Sequence, residues 1–116
     1  MILEDIETKL REIDPNVYYG MVDDIQNETA WNYIVFNRTG INHSANKTGA
    51  TDRFDVHIIR ENYVPEGVDT EVVNALCSIP GVRLAGDCCT FNYVQKPNSN
   101  TVVEMRTIPF VRARKA

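Results

Sequence analysis

The strand over residues 52–61, within TDRFDVHIIRE, most limits what this chain can fold into. Phe54, Val56 and Ile58 fall on one side of an extended backbone, and Arg53, Asp55 and His57 on the other, because successive side chains of a strand point to opposite faces. One side demands a core, while the other tolerates water. Such a strand is stable only within a sheet whose apolar face is covered, so the rest of the 116 residues must supply both partner strands and a covering layer.

Two helices are legible. Ile2, Leu3, Ile6, Leu10 and Ile13 recur at helical spacing, with Glu4, Asp5 and Glu7 early and Lys9 and Arg11 late, as the helix dipole favours. Asp14-Pro15 ends that helix, since the residue before proline is driven out of the helical region. The second helix is expected to take Asp69 as its N-cap, with Val68 and Val73 forming a hydrophobic staple. Val72, Val73, Leu76 and Ile79 give its buried stripe, and Pro80-Gly81 stops it.

The remaining strand material is VYYGM (17–21), WNYIVF (31–36), GVRLAG, TFNYVQ and TVVEMRTIPFVRA. WNYIVF carries large apolar groups at both parities, so both of its faces are expected to be covered. KPNSN reads as a hairpin connection between the last two runs, and Pro109 assigns its portion of the final strand to an edge or a bulge. The fold class that follows is α+β. We expect a single domain over 1–116, with a mainly antiparallel or mixed sheet of four to five strands and two helices packed on it.

With 43% hydrophobic and 24% charged residues, the composition is that of one globular core. The net charge of −4 argues against a specific nucleic-acid binder, although Arg106, Arg112, Arg114 and Lys115 gather near the end. No apolar run approaches the roughly 20 residues that span a bilayer, and MILEDIETKLREI lacks the apolar region of a signal peptide. We therefore expect no membrane association and a cytosolic site of synthesis. Cys77, Cys88 and Cys89 lack zinc-ligand spacing and read as reduced, buried structural thiols. The four Asn-X-Ser/Thr sequons mark polar segments in a chain expected to stay in the cytosol.

Catalytic signals are weak. His57 and Asp55 share a strand face about 7 Å apart, but no nucleophile accompanies them. His43 has only small polar neighbours. Cys88-Cys89 lacks a neighbouring cation or helix start to lower a thiol pKa. KTGAT runs into a strand, whereas a phosphate-binding loop runs into a helix. The expectation is no enzyme, no cofactor and no metal; a small hydrolase built on Asp55 and His57 or on the thiol pair is the lesser alternative. Residues 39–51 read as a polar loop well beyond the usual 4–6 residues, a length that goes with function or disorder. Ile41, Asn42, His43, Asn46 and Lys47 within it, together with Arg53, Asp55, His57, Arg112 and Arg114, are the candidate interaction residues.

An area estimate fits an assembly role. A compact monomer of this size exposes about 6,400 Å², and two ring interfaces of about 800 Å² each would occupy a quarter of it. Across nearly its whole length the chain also resembles a known group of proteins. The phrases that carry this are IDPNVYYGMV, WNYIVFNR, NKTGATDRFDVHIIRE, YVPEGVD before a helix, IPGVRLAG and KPNSNTVVEM. They resemble the tail terminators of long-tailed phages and prophages. The resemblance implies an α+β virion protein, assembled in the bacterial host cytoplasm and located in the tail or neck. Its subunits would form a hexameric ring that stops polymerisation of the major tail tube protein and presents a docking surface to the head connector. A head-completion or stopper protein at the portal side is the neighbouring alternative. No catalytic or ligand residues carry over.

Overall fold

A computed structural model describes residues 2–20, 32–43, 49–86, 90–95 and 100–114. The elements run α1 (Ile2–Arg11), β1 (Val17–Tyr19), β2 (Tyr33–His43), β3 (Ala50–Glu61), α2 (Val68–Cys77), β4 (Val82–Leu84), β5 (Thr90–Gln95) and β6 (Val102–Arg114). This is the expected α+β class, but the mixed sheet has six strands where four to five were expected. Their order is β1-β2-β3-β6-β4, with β5 pairing β6 on the same side as β4. Among the described residues only the β1–β2 pair is parallel.

The alternation read from the sequence sets the layers. Phe54, Val56 and Ile58 are buried and lie in one core with Ile34 and Phe36 of β2, Ile108 and Phe110 of β6, and Val82 of β4. Ile6 and Leu10 of α1 and Val72 and Leu76 of α2 close that core from above, and all four are fully buried. Phe54 and Phe110 are direct cross-strand partners, and their rings stack 5.4 Å apart at 11°. The opposite face carries a second, smaller apolar cluster of Tyr33, Val35, Ile59 and Val103, with Met105 against it. Burial of Tyr33 through Phe36 agrees with the expectation that both faces of this strand are covered. Trp31 lies outside the described residues.

Several local expectations change. Residues 39–43 and 50–51, expected to be loop, are paired strand: Gly40, Ile41, Asn42 and His43 oppose Arg53, Asp52, Thr51 and Ala50. The register shifts between Arg38 and Gly40, so Thr39 is the extra residue of a bulge. Beyond the bulge the parity of β2 is reversed, which a strictly alternating reading of a polar run cannot show. Residues 44–48 and the KPNSN connection from 96 to 99 are not described.

The second helix starts two residues earlier than expected. Gly67 is its N-cap at φ 97°, a left-handed conformation that glycine adopts without a Cβ clash. Asp69 therefore lies inside the first turn instead of capping it. Val68 is also inside the helix, and it packs with Val73 against the main core without forming the expected staple. Pro109 is not at an edge, since it sits in β6 opposite Asp55 of β3. Its carbonyl accepts from Ala85 N at 3.0 Å on the other side. The N–H it lacks would point the same way as that carbonyl, into the joint between β4 and β5, where no ladder partner is needed. Cys77, expected to be buried, is exposed at the end of α2. Cys88 and Cys89 lie outside the described residues.

The molecule measures 53 × 27 × 25 Å and exposes 7184 Å², more than a compact chain of this size requires. The long strands β3 and β6 set the long axis. No helix among the described residues is long and apolar enough to cross a membrane.

Candidate interaction surfaces

The ten candidate residues do not form one site. His57 projects from the helix-free face of β3 and spends both ring nitrogens on neighbours. Nε2–H donates to Asn37 Oδ1 at 2.9 Å, and Nδ1 lies 2.9 Å from Thr107 Oγ1. Because Asn37 Oδ1 can only accept, Nδ1 is the acceptor for the Thr107 hydroxyl in the neutral ring. Burial lowers the His57 pKa from its ordinary value, with the nearby Asp55 carboxylate opposing that shift in part. The ring is thus a neutral cross-strand tie between β2, β3 and β6, and Asp55 sits beside it without being its hydrogen-bond partner.

Ile41, Asn42, His43 and Arg53 are brought together at the far end of the β2–β3 pair, and Arg112 and Arg114 reach the same end along β6. Arg53 is exposed and opposes Gly40. With the Asn42 carboxamide turned so that its oxygen faces the guanidinium, it accepts from Arg53 Nε at 2.9 Å and Nη2 at 3.2 Å. The bulge at Thr39 makes this possible by setting Asn42 and Arg53 on one face. Arg38 donates to the Tyr19 hydroxyl at 3.0 Å. Arg112 Nε is buried with no hydrogen-bond partner among the described residues. Arg83 of β4 is exposed and flanks Val111 on the side opposite Arg53. Arg38 and Arg53 are thus held by neutral partners, while Asp52 lies directly opposite Arg112 across the β3–β6 pair. Asn46 and Lys47 lie outside the described residues.

A second surface was missed from sequence. At the other end of the sheet, where α2 begins, a groove of about 610 Å³ opens between the 63–69 segment, β5 and β6. Tyr63, Phe91 and Tyr93 line it and are exposed at 66%, 43% and 62%, unusual for three neighbouring rings. Arg106 lies under them, with Nη2 3.0 Å from Asp69 Oδ2 and its guanidinium carbon 4.6 Å above the Phe91 ring. Its buried Nε has no hydrogen-bond partner among the described residues. Glu104 accepts from Val64 N at 2.8 Å, which fixes the groove wall. Hydrogen bonding to Glu104 raises the Tyr93 pKa, with lesser contributions from burial and the carboxylate's charge. Glu66, Asp69 and Glu104 outnumber Arg106, so the groove carries negative charge.

The available sequence signal was parity. Phe91 and Tyr93 share one face of β5, and Glu104 and Arg106 share one face of β6, directly opposite them. The sequence alone could not supply that register.

No protein-family model matches this chain, and no curated protein matches it. Among solved structures, one chain from a particle described as "Virion of native gene transfer agent (GTA) particle" has a similar fold, with TM-score 0.51 and 12% sequence identity. The match covers 99% of this chain and 92% of that one. The likeness at that identity is one of fold, and it spans both helices and the whole sheet. Among the described residues no group of three or more His, Cys, Asp or Glu side chains is placed to hold a metal ion.

Proposed function

We propose that this chain is a structural protein of a phage-like virion and acts as a tail terminator. In this reading its copies form a hexameric ring on the end of the tail tube, halt polymerisation of the tube protein and offer a surface to the head connector. The observation that carries the reading is the end-to-end agreement in fold with a chain of a gene transfer agent virion. The phrase-level resemblance to tail terminators adds to it. Its logic is geometric: two different surfaces at opposite ends of one subunit make a heterologous contact, and repetition of such a contact about an axis closes a ring. The role needs no catalytic group. His57, the best catalytic candidate in the sequence, serves instead as a hydrogen-bonded tie between strands.

Tail length is the test. Particles assembled without this gene are expected to carry overlong or polydisperse tubes. Tails of normal length beside heads that leak DNA would overturn the terminator role in favour of the portal-side stopper.

A further inference from the structure

The two surfaces at the ends of the sheet are complementary, and one chain cannot bring its own together. Glu104 and Arg112 lie on the same strand eight residues apart, which in extended backbone is about 26 Å. We infer that the aromatic, acidic groove of one copy receives the exposed Arg53 and Arg83 from the opposite end of the sheet of a second copy. This inference rests on the ring reading above and assigns the contact that would build the ring.

Three observations support a second copy as the occupant. The first is charge: the groove has more carboxylates than guanidinium groups, whereas the opposite end of the sheet exposes Arg53 and Arg83 side by side on one face, flanking Val111. The second is the lining. Exposed Tyr63, Phe91 and Tyr93 offer π-faces on which a guanidinium plane stacks, and Arg106 over Phe91 already shows that contact inside the groove. The third is the way Arg53 is held: a neutral carboxamide orients it, so it retains its charge for a carboxylate outside the chain. A nucleic acid would use the basic end and leave the groove empty, whereas a second copy uses both.

The experiment measures self-association of the full chain by sedimentation and native mass spectrometry at low and high salt. Glu66→Lys and Arg53→Glu both change exposed side chains, and each is expected to weaken association at least about tenfold, since like charges then meet. The double variant restores the charge pairing in every copy and is expected to recover most of the loss. Tyr93→Ala should weaken association without changing its salt dependence. Association in which both reversals behave as wild type overturns the inference while leaving the ring intact. Absence of any salt-sensitive association by the wild-type chain also overturns it, and the terminator reading then stands or falls on tail length alone.

Discussion

Arg60 on β3 places Nη2 2.7 Å from Asp14 Oδ2, joining the end of α1 to the sheet across 46 residues of chain. The same guanidinium donates through Nη1 to the carbonyls of Ile59 at 2.8 Å and Tyr33 at 3.3 Å. Asp14 is buried, and its other oxygen accepts from Asn16 N at 2.9 Å, shaping the turn into β1. One pair thus sets where the helix ends and how it lies on the strands.

Removing either partner leaves a charge with little water around it. Asp14→Ala is expected to lower stability by about 3–5 kcal/mol in denaturant unfolding. Combining it with Arg60→Met should recover part of that loss, since no charge is then left alone. A full, additive loss in the double variant would show that the pair is not coupled.

His57 makes stability depend on pH in a defined direction. Its folded-state pKa lies below the ordinary 6.5, so between those two values the unfolded chain binds more protons. The contribution is fully present above pH 6.5 and is lost as pH falls toward the lowered folded value. His57→Gln is expected to flatten that part of the melting temperature profile, because an amide can bond to Asn37 and Thr107 without titrating. Ring titration followed by NMR should give a pKa below that of a free histidine.

Gly81 has φ +86°, and a Cβ there would lie 3.1 Å from the Ala113 carbonyl oxygen of β6. Gly81→Ala therefore combines a left-handed backbone with a close approach. It is expected to cost about 1–3 kcal/mol in thermal or denaturant unfolding.

Phe110 is fully buried and stacked on Phe54 at the centre of the two longest strands. Phe110→Ala is expected to cost about 3–5 kcal/mol, and Phe110→Leu distinctly less. A comparable loss for both would point to strain in the replacement and away from a cavity.

What could be read from the sequence was whatever recurs locally. The alternation of Phe54, Val56 and Ile58 and the pair Val72 and Leu76 each lie within one element, and both point as expected. Asn37 to His43 did not read as strand because the run is polar and contains a glycine. It is strand because β3 pairs with it and a bulge at Thr39 absorbs the misfit. Asp69 looked like a cap, but the sequence does not show that Arg106 stands ready to hold its carboxylate. The same holds for the sites. Arg53 and Arg112 could be named from charge, whereas the groove joins Tyr63, Phe91 and Arg106 from three separate segments. The His57 tie likewise joins residues 20 and 50 positions away.

The strand order has a consequence for how the chain is made. β6 is synthesised after the five other strands of the sheet, yet it lies in the interior, with β3 on one side and β4 and β5 sharing the other. Until it leaves the ribosome, β3 has one open side and β4 and β5 have no strand to join. The sheet therefore closes only after β6 has been translated, through contacts far apart in sequence, which are slow to form. A chain cut before Val102 would present open strand edges, with the tendency to aggregate that such edges bring.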